Sequence, residues 1–298
     1  MNQLLVSIIT PTYNRRDLII RAYESLQRQT NLNFEWIVID DGSVDQTDEL
    51  FSEWRSSTQF EIKYIKKENG GKHTALNFSH PYIDGEIVII LDSDDYLTPD
   101  AINTIIRDWE RYISDKSICC ISYCRMKSDG NYISNVGFSE PVISNHIEYR
   151  VNGNRGADRC ETIRSEYFKE YPFPVYPGER FMSEGWLWNS LSYKYKTVYI
   201  DKGIYVGEYL EQGLTKSGRK IRMTSPHGMM LNCKSFFDSR FSFKVRMKEY
   251  LLYWVYGKCA HLKVKDIIVN SDHAIWATLT MPFGILLYIE WKKKYLTD

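Results

Sequence analysis

Three carboxylates stand within four residues at Asp92, Asp94 and Asp95, directly after the apolar run 87–91. Negative charges packed this closely repel one another, and removing them from water adds a further cost. A divalent cation relieves both costs, and carboxylate oxygens suit Mg²⁺ or Mn²⁺, which commonly link a protein to phosphate groups. The alternative is a solvated loop that caps a helix beginning near Pro99. The residue types therefore favour a metal site over a helix cap.

Two further polar clusters also follow apolar segments. The turn Asp-Asp-Gly-Ser at 40–43 offers two carboxylates to a ligand, although the same composition suits a plain turn and helix cap. Gly70 and Gly71 precede Lys72, which puts open backbone and a cation at a predicted helix start. A helix start of this kind is a natural neighbour for phosphate, and its alternative is a turn with a solvated lysine.

Strand-like and helix-like segments alternate through the first half of the chain, which predicts an α/β fold with a doubly wound, mainly parallel sheet. Ligands of such sheets bind beyond the carboxyl ends of the strands. Because each polar cluster follows a predicted strand, we expect the clusters to line one crevice. The second half is less regular and contains a predicted polar loop over 145–158. The predicted strands are 5–10, 34–40, 60–65, 87–91, 118–126 and 197–200, and predicted helices include 17–29, 48–54, 72–78 and 185–195.

Composition argues against several classes of protein. The 298 residues contain 38 Lys and Arg against 38 Asp and Glu, so no basic excess indicates a nucleic-acid-binding protein. The six cysteines form no C-x-x-C pair and no zinc spacing, which is typical of reduced thiols in a cytosolic protein. Met1 leads straight into a strand-like run, so no secretory signal is predicted. We therefore expect a cytoplasmic protein.

The C-terminal part contains an uncharged apolar segment at 274–289, followed by a lysine cluster at 292–294. Sixteen residues interrupted by Pro282 and Gly284 are too short to cross a bilayer, which needs about 20. The segment suits a helix that lies at a membrane interface, with aromatic rings at headgroup level and lysines on phosphate. A buried helix fits the pattern almost equally well. We expect the interfacial alternative, with peripheral contact to the inner face of the plasma membrane.

Three motifs in register resemble those of the family 2 glycosyltransferases of GT-A fold, of the bacterial polysaccharide type. They are Ser-Ile-Ile-Thr-Pro-Thr-Tyr-Asn at 7–14, Ile-Val-Ile-Asp-Asp-Gly-Ser at 37–43 and Leu-Asp-Ser-Asp-Asp at 91–95. The resemblance covers roughly residues 4–215. It implies an inverting, metal-dependent enzyme that uses Mn²⁺ or Mg²⁺. Such an enzyme transfers a sugar from a nucleotide-sugar, usually a UDP-sugar, to a saccharide or lipid-linked saccharide.

The resemblance implies a Rossmann-like nucleotide-diphospho-sugar transferase domain over 1–215. The basic and aromatic composition beyond it predicts a helical C-terminal extension over 216–298, for which membrane association is one alternative. Gly207 and Gly213 flank a segment that resembles the mobile segment closing over the donor in relatives, and glycines would permit such movement. The oligomeric state is left open by the sequence.

Individual residues take roles from the same resemblance. Asp94 would bind the metal directly, and Asp92 would contact the ribose or the waters of the metal. Either Asp40 or Asp41 would accept the imide N–H of uracil, and Lys72 would approach the donor. Further donor contacts are implied for Thr10, Pro11, Tyr13 and Ser93.

Inversion in a single displacement needs a base that takes the proton of the acceptor hydroxyl. The resemblance implies an acidic motif before a tryptophan, and here Glu184 precedes Gly185 and Trp186. Gly185 stands where an aspartate is frequent in the family, so Glu179 is the reserve base. Two other functions stay open. One is a non-catalytic module that binds nucleotide-sugars, and the other is a sugar nucleotidyltransferase, which normally has a Gly-rich loop after the first strand that is absent here.

Overall fold

The computed structural model describes residues 4–133, 137, 139–156, 158–207 and 218–296. The chain divides into two structural units. Unit 1 comprises Met1–Asn145, Arg155–Pro172 and Leu191–Glu208, and unit 2 comprises His146–Asn154, Phe173–Ser190 and Tyr209–Asp298.

Within the described part of unit 1, nine strands form one mixed sheet. The central strands are rich in apolar and β-branched residues and are buried on both faces, as in a sheet covered by helices. In chain order the strands are β1 (Val6–Thr12), β2 (Phe34–Asp40), β3 (Glu61–Lys66), β4 (Ile87–Ile90), β5 (Tyr96–Leu97), β6 (Ile118–Met126), β7 (Val142–Ser144), β8 (Arg159–Arg164) and β9 (Lys196–Val206).

The strand order is β3-β2-β1-β4-β8-β6-β9-β5, and β7 pairs with β9. β1 is parallel to β2 and β4, and β2 is parallel to β3, which confirms the α/β fold and the parallel first half predicted from the sequence. β8 runs antiparallel to both β4 and β6, so the second half of the sheet is mixed. β9 is longer than the predicted strand 197–200, because β5, β6 and β7 all pair along its length.

The helices of unit 1 each bury an apolar side. Tyr23 and Trp54 come from two different helices and stack with ring centroids 4.0 Å apart, and Trp36 of β2 lies beside both rings. Such aromatic clusters bury a large apolar area and fix how helix and sheet pack. The helices are α1 (Arg16–Gln27), α2 (Thr47–Ser57), α3 (Lys72–Ser79), α4 (Ala101–Glu110) and α5 (Ser165–Glu170), with a 3₁₀ turn at His80–Tyr82.

Unit 2 is helical in the residues described. The loop predicted over 145–158 is wrong for Ile147–Asn152, which form a π-helical segment closed by the Gly153 N–H on the Glu148 carbonyl at 3.0 Å. Burial of the Ile147 side chain holds this segment in place and overrides its polar composition. The α-helices are α6 (Gly185–Ser192), α7 (Gly218–Met223), α8 (Pro226–Lys234), α9 (Phe243–Cys259), α10 (Val264–Val269) and α11 (Ala274–Tyr295).

The last helix, α11, has 22 residues, because it continues beyond the uncharged segment 274–289 through the lysine cluster. Pro282 lies inside the helix without ending it. Among the described helices, α11 alone is long and apolar enough to cross a membrane, by length and composition. One of its sides packs against α9, where the Trp254 Nε1–H donates to the Ala277 carbonyl at 2.8 Å. Gly284 lies against the same indole, and a Cβ there would come within 2.4 Å of the Trp254 Cβ.

Gly284→Ala is expected to lower the free energy of unfolding by about 1–3 kcal/mol, because the new methyl group would overpack against Trp254. This cost exceeds the roughly 0.5–1 kcal/mol by which alanine is favoured over glycine inside a helix. Urea unfolding monitored by circular dichroism measures the change.

The matched control is Gly218→Ala in α7, where a Cβ would meet no atom within 4 Å. We expect this control to leave the free energy of unfolding unchanged or slightly higher. Equal effects of the two substitutions would contradict the close contact between α11 and α9.

Candidate functional site

The carboxyl ends of the parallel strands of unit 1 lie side by side. In the sheet register Thr12 pairs with Asp40, Asp40 pairs with Lys66, and Ile9 pairs with Ile90. The residues that follow these strands therefore share one edge of the sheet. This arrangement brings together the Asp-Asp-Gly-Ser turn, the glycine-rich turn before α3 and the Asp-x-Asp turn, as the sequence predicts.

The Asp41 carboxylate joins the end of β2 to the glycine-rich turn. Its Oδ1 accepts hydrogen bonds from the Lys67 ammonium at 2.6 Å and the Gly70 N–H at 3.0 Å. Its Oδ2 accepts the Gly71 N–H at 2.7 Å. Gly42 follows with a φ of 87°, a conformation that favours glycine, and a Cβ at this position would lie 3.1 Å from the next turn's backbone. Asp41 is thus the residue that holds the two turns in contact.

Asp40 is fully buried and its oxygens are directed into the protein. Oδ1 accepts the Ser43 N–H at 2.7 Å, and Oδ2 accepts the Tyr64 hydroxyl. Burial, followed by the hydrogen bond to Asp40, raises the pKa of the Tyr64 hydroxyl well above its usual value, so this group remains a donor. Asp40 therefore stabilises the turn 40–43 through its hydrogen bond with the Ser43 N–H. Contact of Asp40 with a nucleotide stays a prediction.

The residues at the end of β1 differ in exposure. The Thr10 hydroxyl is buried and accepts the Trp36 Nε1–H at 2.9 Å. Pro11 is half-buried, and Tyr13 is exposed. Of the residues predicted to contact the donor here, Pro11 and Tyr13 are accessible to a ligand. The Thr10 side chain instead forms a buried hydrogen bond between neighbouring strands.

Lys72, in the first turn of α3, forms an ion pair with Asp92. The Lys72 Nζ lies 2.5 Å from the Asp92 Oδ1, and both side chains are partly exposed. Burial alone would raise the pKa of the Asp92 carboxyl, but the Lys72 ammonium and the more distant Arg125 guanidinium hold that pKa below its usual value. Two predicted donor-binding residues from different turns are therefore in direct contact, and Asp92 is ionised at neutral pH.

A buried cluster lies behind the Asp-x-Asp turn. The Tyr205 hydroxyl accepts the Asp92 N–H at 3.0 Å and donates to the Asp95 Oδ2 at 2.8 Å. Arg125 binds the same Asp95 oxygen and stacks over the Tyr205 ring at 4.4 Å. Burial raises the pKa of Asp95 to about 6 although Arg125 opposes the shift. Gly207 fits here because a Cβ would come within 2.5 Å of Asp95 Oδ1.

Asp94 and Asp92 are the carboxylates of this turn that face solvent in part. The Asp94 side chain is 25% exposed, and its nearest cation is the Arg15 Nη1 at 3.8 Å. Among the described residues the Asp94 carboxylate has no hydrogen bond, whereas the Asp94 carbonyl accepts Arg21 Nη2 at 2.6 Å. Ser93, between them, is buried. Two oxygen donors, anionic and open to solvent, fit Mg²⁺ or Mn²⁺.

A second acidic group lies away from this edge. Among the described residues, Glu35, Glu61 and Asp84 bring carboxylate oxygens within 4.8 Å of one another. Lys63 lies in this group, binds Glu35 and contacts the Asp84 Oδ2 at 2.5 Å. The lysine already supplies the positive charge, so this group is an ion-pair network.

Both predicted base residues belong to unit 2. Glu184 is half-buried and directly precedes α6, where its carbonyl accepts the Leu187 N–H at 2.9 Å. A Cβ at Gly185 would lie 3.3 Å from the Ser183 Oγ, so there is little room for a side chain at this position beside Glu184. The role of Glu184 as base stays a prediction.

Glu179 caps α8, which the sequence does not indicate. Its buried carboxylate accepts the His227 N–H and the His227 Nδ1 at 2.7 Å, and the Gly228 N–H at 2.8 Å. A carboxylate at this position satisfies the first N–H groups of the helix and is stabilised by the helix dipole. The geometry gives Glu179 a structural role, while its assignment as reserve base stays untested.

Several residues of the site carry no sequence signal. Tyr64, Arg125 and Tyr205 lie inside strands, where their side chains cannot be told from core residues. Lys67 has a weak signal, since it follows β3 at the same edge as the motifs. The segment predicted to close over the donor, and the predicted domain boundary at 215, lie outside the described residues, because 208–217 are not among them.

Comparison with known proteins identifies the family. The model described as Glycosyl transferase family 2 matches residues 7–170, more than half of the chain. Chondroitin synthase of Pasteurella multocida (strain Pm70) is 32% identical over 142 residues, which are 47% of this chain and 14% of that protein. The chain therefore spans only a small part of that relative's length.

Solved structures share the fold over nearly the whole chain. S. aureus TarS 1-349 in complex with UDP-GlcNAc has a TM-score of 0.63 at 16% identity, covering 98% of this chain and 92% of that one. The mannosyltransferase PcManGT from Pyrobaculum calidifontis, in complex with GDP-Man and Mn²⁺, has a TM-score of 0.58 at 17% identity, covering 98% and 84%. The predicted GT-A fold is thereby confirmed.

Tyr205→Phe is expected to lower the free energy of unfolding by about 1–3 kcal/mol, because the buried Asp92 N–H and Asp95 Oδ2 each lose a partner. Urea unfolding measures the change. The control is Tyr132→Phe, which alters an exposed ring. An effect no larger than that of the control would show that the Tyr205 hydroxyl does not support the turn.

Proposed function

Because the chain belongs to glycosyl transferase family 2, we propose that it transfers a sugar from a nucleotide-sugar to a saccharide or lipid-linked saccharide. One observation carries the proposal: the three motif turns share one sheet edge, where Lys72 contacts Asp92 and Asp94 faces solvent. A cation and two carboxylates at the carboxyl ends of parallel strands suit a nucleoside diphosphate group bound with a divalent ion.

The donor is proposed to be a UDP-sugar. TarS has been crystallised with UDP and with UDP-GlcNAc, and PcManGT with GDP-Man, which supports a nucleotide-sugar as donor. The resemblance of the first motif favours uridine, with Tyr13 and Pro11 beside the base and Asp41 as the acceptor of the imide N–H. Lys72 lies in the first turn of α3, where the helix dipole adds to its charge, so it is placed to neutralise the diphosphate.

Asp94 and Asp92 are proposed to hold Mn²⁺ or Mg²⁺. When bound, such an ion stabilises the negative charge that develops on the departing diphosphate. Asp94 would bind the ion directly because its carboxylate has no hydrogen bond among the described residues. Asp95 takes no part in this binding, since Arg125 and Tyr205 hold its carboxylate inside the protein.

Glu184 is proposed as the base of an inverting displacement. The acceptor oxygen would form its bond to the anomeric carbon as the bond from that carbon to the diphosphate breaks. The hydroxyl proton would pass to Glu184, and UDP would leave with both bonding electrons. In the proposed division, the donor site belongs to residues 1–215, and 216–298 form a helical C-terminal extension.

The function is tested by incubating the protein with UDP-sugars or GDP-mannose, each in the presence of Mn²⁺ or of EDTA. Release of the nucleoside diphosphate is measured with and without saccharide acceptors. We expect release from one donor that requires Mn²⁺, is stimulated by acceptor, and inverts the anomeric configuration of the product. Binding of UDP without release from any donor would instead indicate a binding module. Release that persists unchanged in EDTA would contradict the metal requirement.

Asp94→Ala is expected to lower kcat/KM by about 10²-fold or more, because the charge on the leaving group loses its stabilisation. Calorimetric titration should also show UDP affinity in Mn²⁺ falling to the value measured in EDTA. Glu140→Ala, which removes an exposed carboxylate elsewhere in unit 1, is the control and should leave both quantities unchanged. Unaltered kcat/KM in the Asp94 variant would remove this carboxylate from the reaction.

Glu184→Gln is expected to lower kcat by about 10²–10⁴-fold, with donor affinity retained, because only the proton acceptor is lost. Glu179→Gln provides the comparison. It should lower the melting temperature, since the α8 cap is weakened, and leave the turnover of the folded protein near wild type. A reversal, with turnover lost at Glu179 and kept at Glu184, would move the base to Glu179.

A further inference from the structure

One side of α11 is an exposed apolar stripe. Five large side chains along this helix are 44–73% exposed in the described structure, and they are three or four residues apart, which places them on one helix face. Monomeric soluble proteins rarely expose a continuous apolar surface of this kind, and such surfaces commonly mark interaction sites. We name this face the α11 stripe: Ile275, Leu279, Phe283, Leu286 and Ile289.

The opposite side of α11 is fixed to the rest of unit 2. Ala277, Thr280 and Gly284 are buried, and Ala277 accepts the Trp254 indole N–H of α9. The helix therefore cannot rotate its apolar stripe inward without breaking this packing. At one end Phe243 of α9, itself exposed, packs edge-on against Trp276 with ring centroids 5.7 Å apart and extends the apolar surface.

Positive charge accompanies the stripe. Lys292, Lys293 and Lys294 are exposed in the last turns of α11, and Lys293 follows Ile289 by four residues, on the same face. The C-terminal part as a whole is basic, with 15 Lys and Arg against 6 Asp and Glu over 216–298, although the net charge of the chain is zero. Apolar and basic groups therefore coincide in one region of a neutral protein.

We propose that α11 lies flat in the interface of an anionic lipid bilayer, with its stripe in the acyl boundary and its lysines on headgroup phosphates. A helix that leaves an apolar side exposed beside lysines can bind in this way, through apolar burial together with electrostatic attraction. A second copy of the chain is a poorer occupant, because it would bring two basic segments together. A spanning helix is also poorer, because lipid all around α11 would require loss of its packing on α9.

Vesicle flotation tests the proposal with the full-length protein purified without detergent. We expect the protein to float with vesicles of phosphatidylglycerol and phosphatidylcholine, and much less with phosphatidylcholine alone. Leu279→Glu/Phe283→Glu should lower the partition coefficient by at least about tenfold, since charged groups do not enter the acyl boundary. Lys292→Ala/Lys293→Ala/Lys294→Ala should remove most of the preference for anionic vesicles.

The matched control is Val175→Glu, which changes an equally exposed apolar residue of unit 2 outside the stripe. It should bind vesicles like wild type. All variants should show the same circular dichroism melt and the same UDP release with a soluble acceptor, so this test does not depend on the proposed reaction.

Three results would overturn the proposal. The variant Leu279→Glu/Phe283→Glu could float with the anionic vesicles as well as the wild type does. Sedimentation without lipid could show a dimer that Leu279→Glu/Phe283→Glu converts to monomer, which would make a second copy the occupant. Protein in cell membranes could resist alkaline carbonate and require detergent for extraction, which would make α11 a spanning helix.

Discussion

At one edge of the sheet of unit 1, four of the carboxylates each face a cation that a different element contributes. Like charges this close to one another and partly removed from water would be unstable without such partners. The register of the parallel strands places these carboxylates at one edge of the sheet. The cations offset the repulsion between the carboxylates, which allows the turns to pack together there. The pairs are Asp41 with Lys67, Asp92 with Lys72, Asp94 with Arg15, and Asp95 with Arg125.

The four pairs differ in solvent exposure, and this difference separates the pairs that fix the turns from the pairs that can exchange partners. The Asp41 and Asp95 side chains are 5% and 4% exposed, so their ion pairs are costly to break and fix the turns. Asp92 and Asp94 are 31% and 25% exposed, so water can stabilise them while partners exchange. The pair open to exchange is the Asp-x-Asp pair, which is where a family 2 glycosyltransferase is proposed to take up its metal and donor diphosphate.

The sequence predicts the first half of unit 1 well, because apolar strands, helical spacing and turn residues all agree there. Strand 34–40 matches the structure, and the three motif turns meet as expected. The supports of the site could not be predicted, since Arg125 and Tyr205 come from strands whose pairing depends on contacts distant in sequence. The helical segment Ile147–Asn152 was missed for the same reason, because burial against distant residues decided its conformation.

The most direct measurement is a titration of the protein with Mn²⁺, monitored by the electron paramagnetic resonance signal of the free ion, with and without UDP. If Mn²⁺ and UDP bind together at Asp92 and Asp94, one ion per chain is taken up when UDP is present, and Asp94→Ala removes this uptake. A free-ion signal unaffected by protein and UDP, or uptake that survives in the Asp94 variant, would contradict a metal-assisted reaction at this edge.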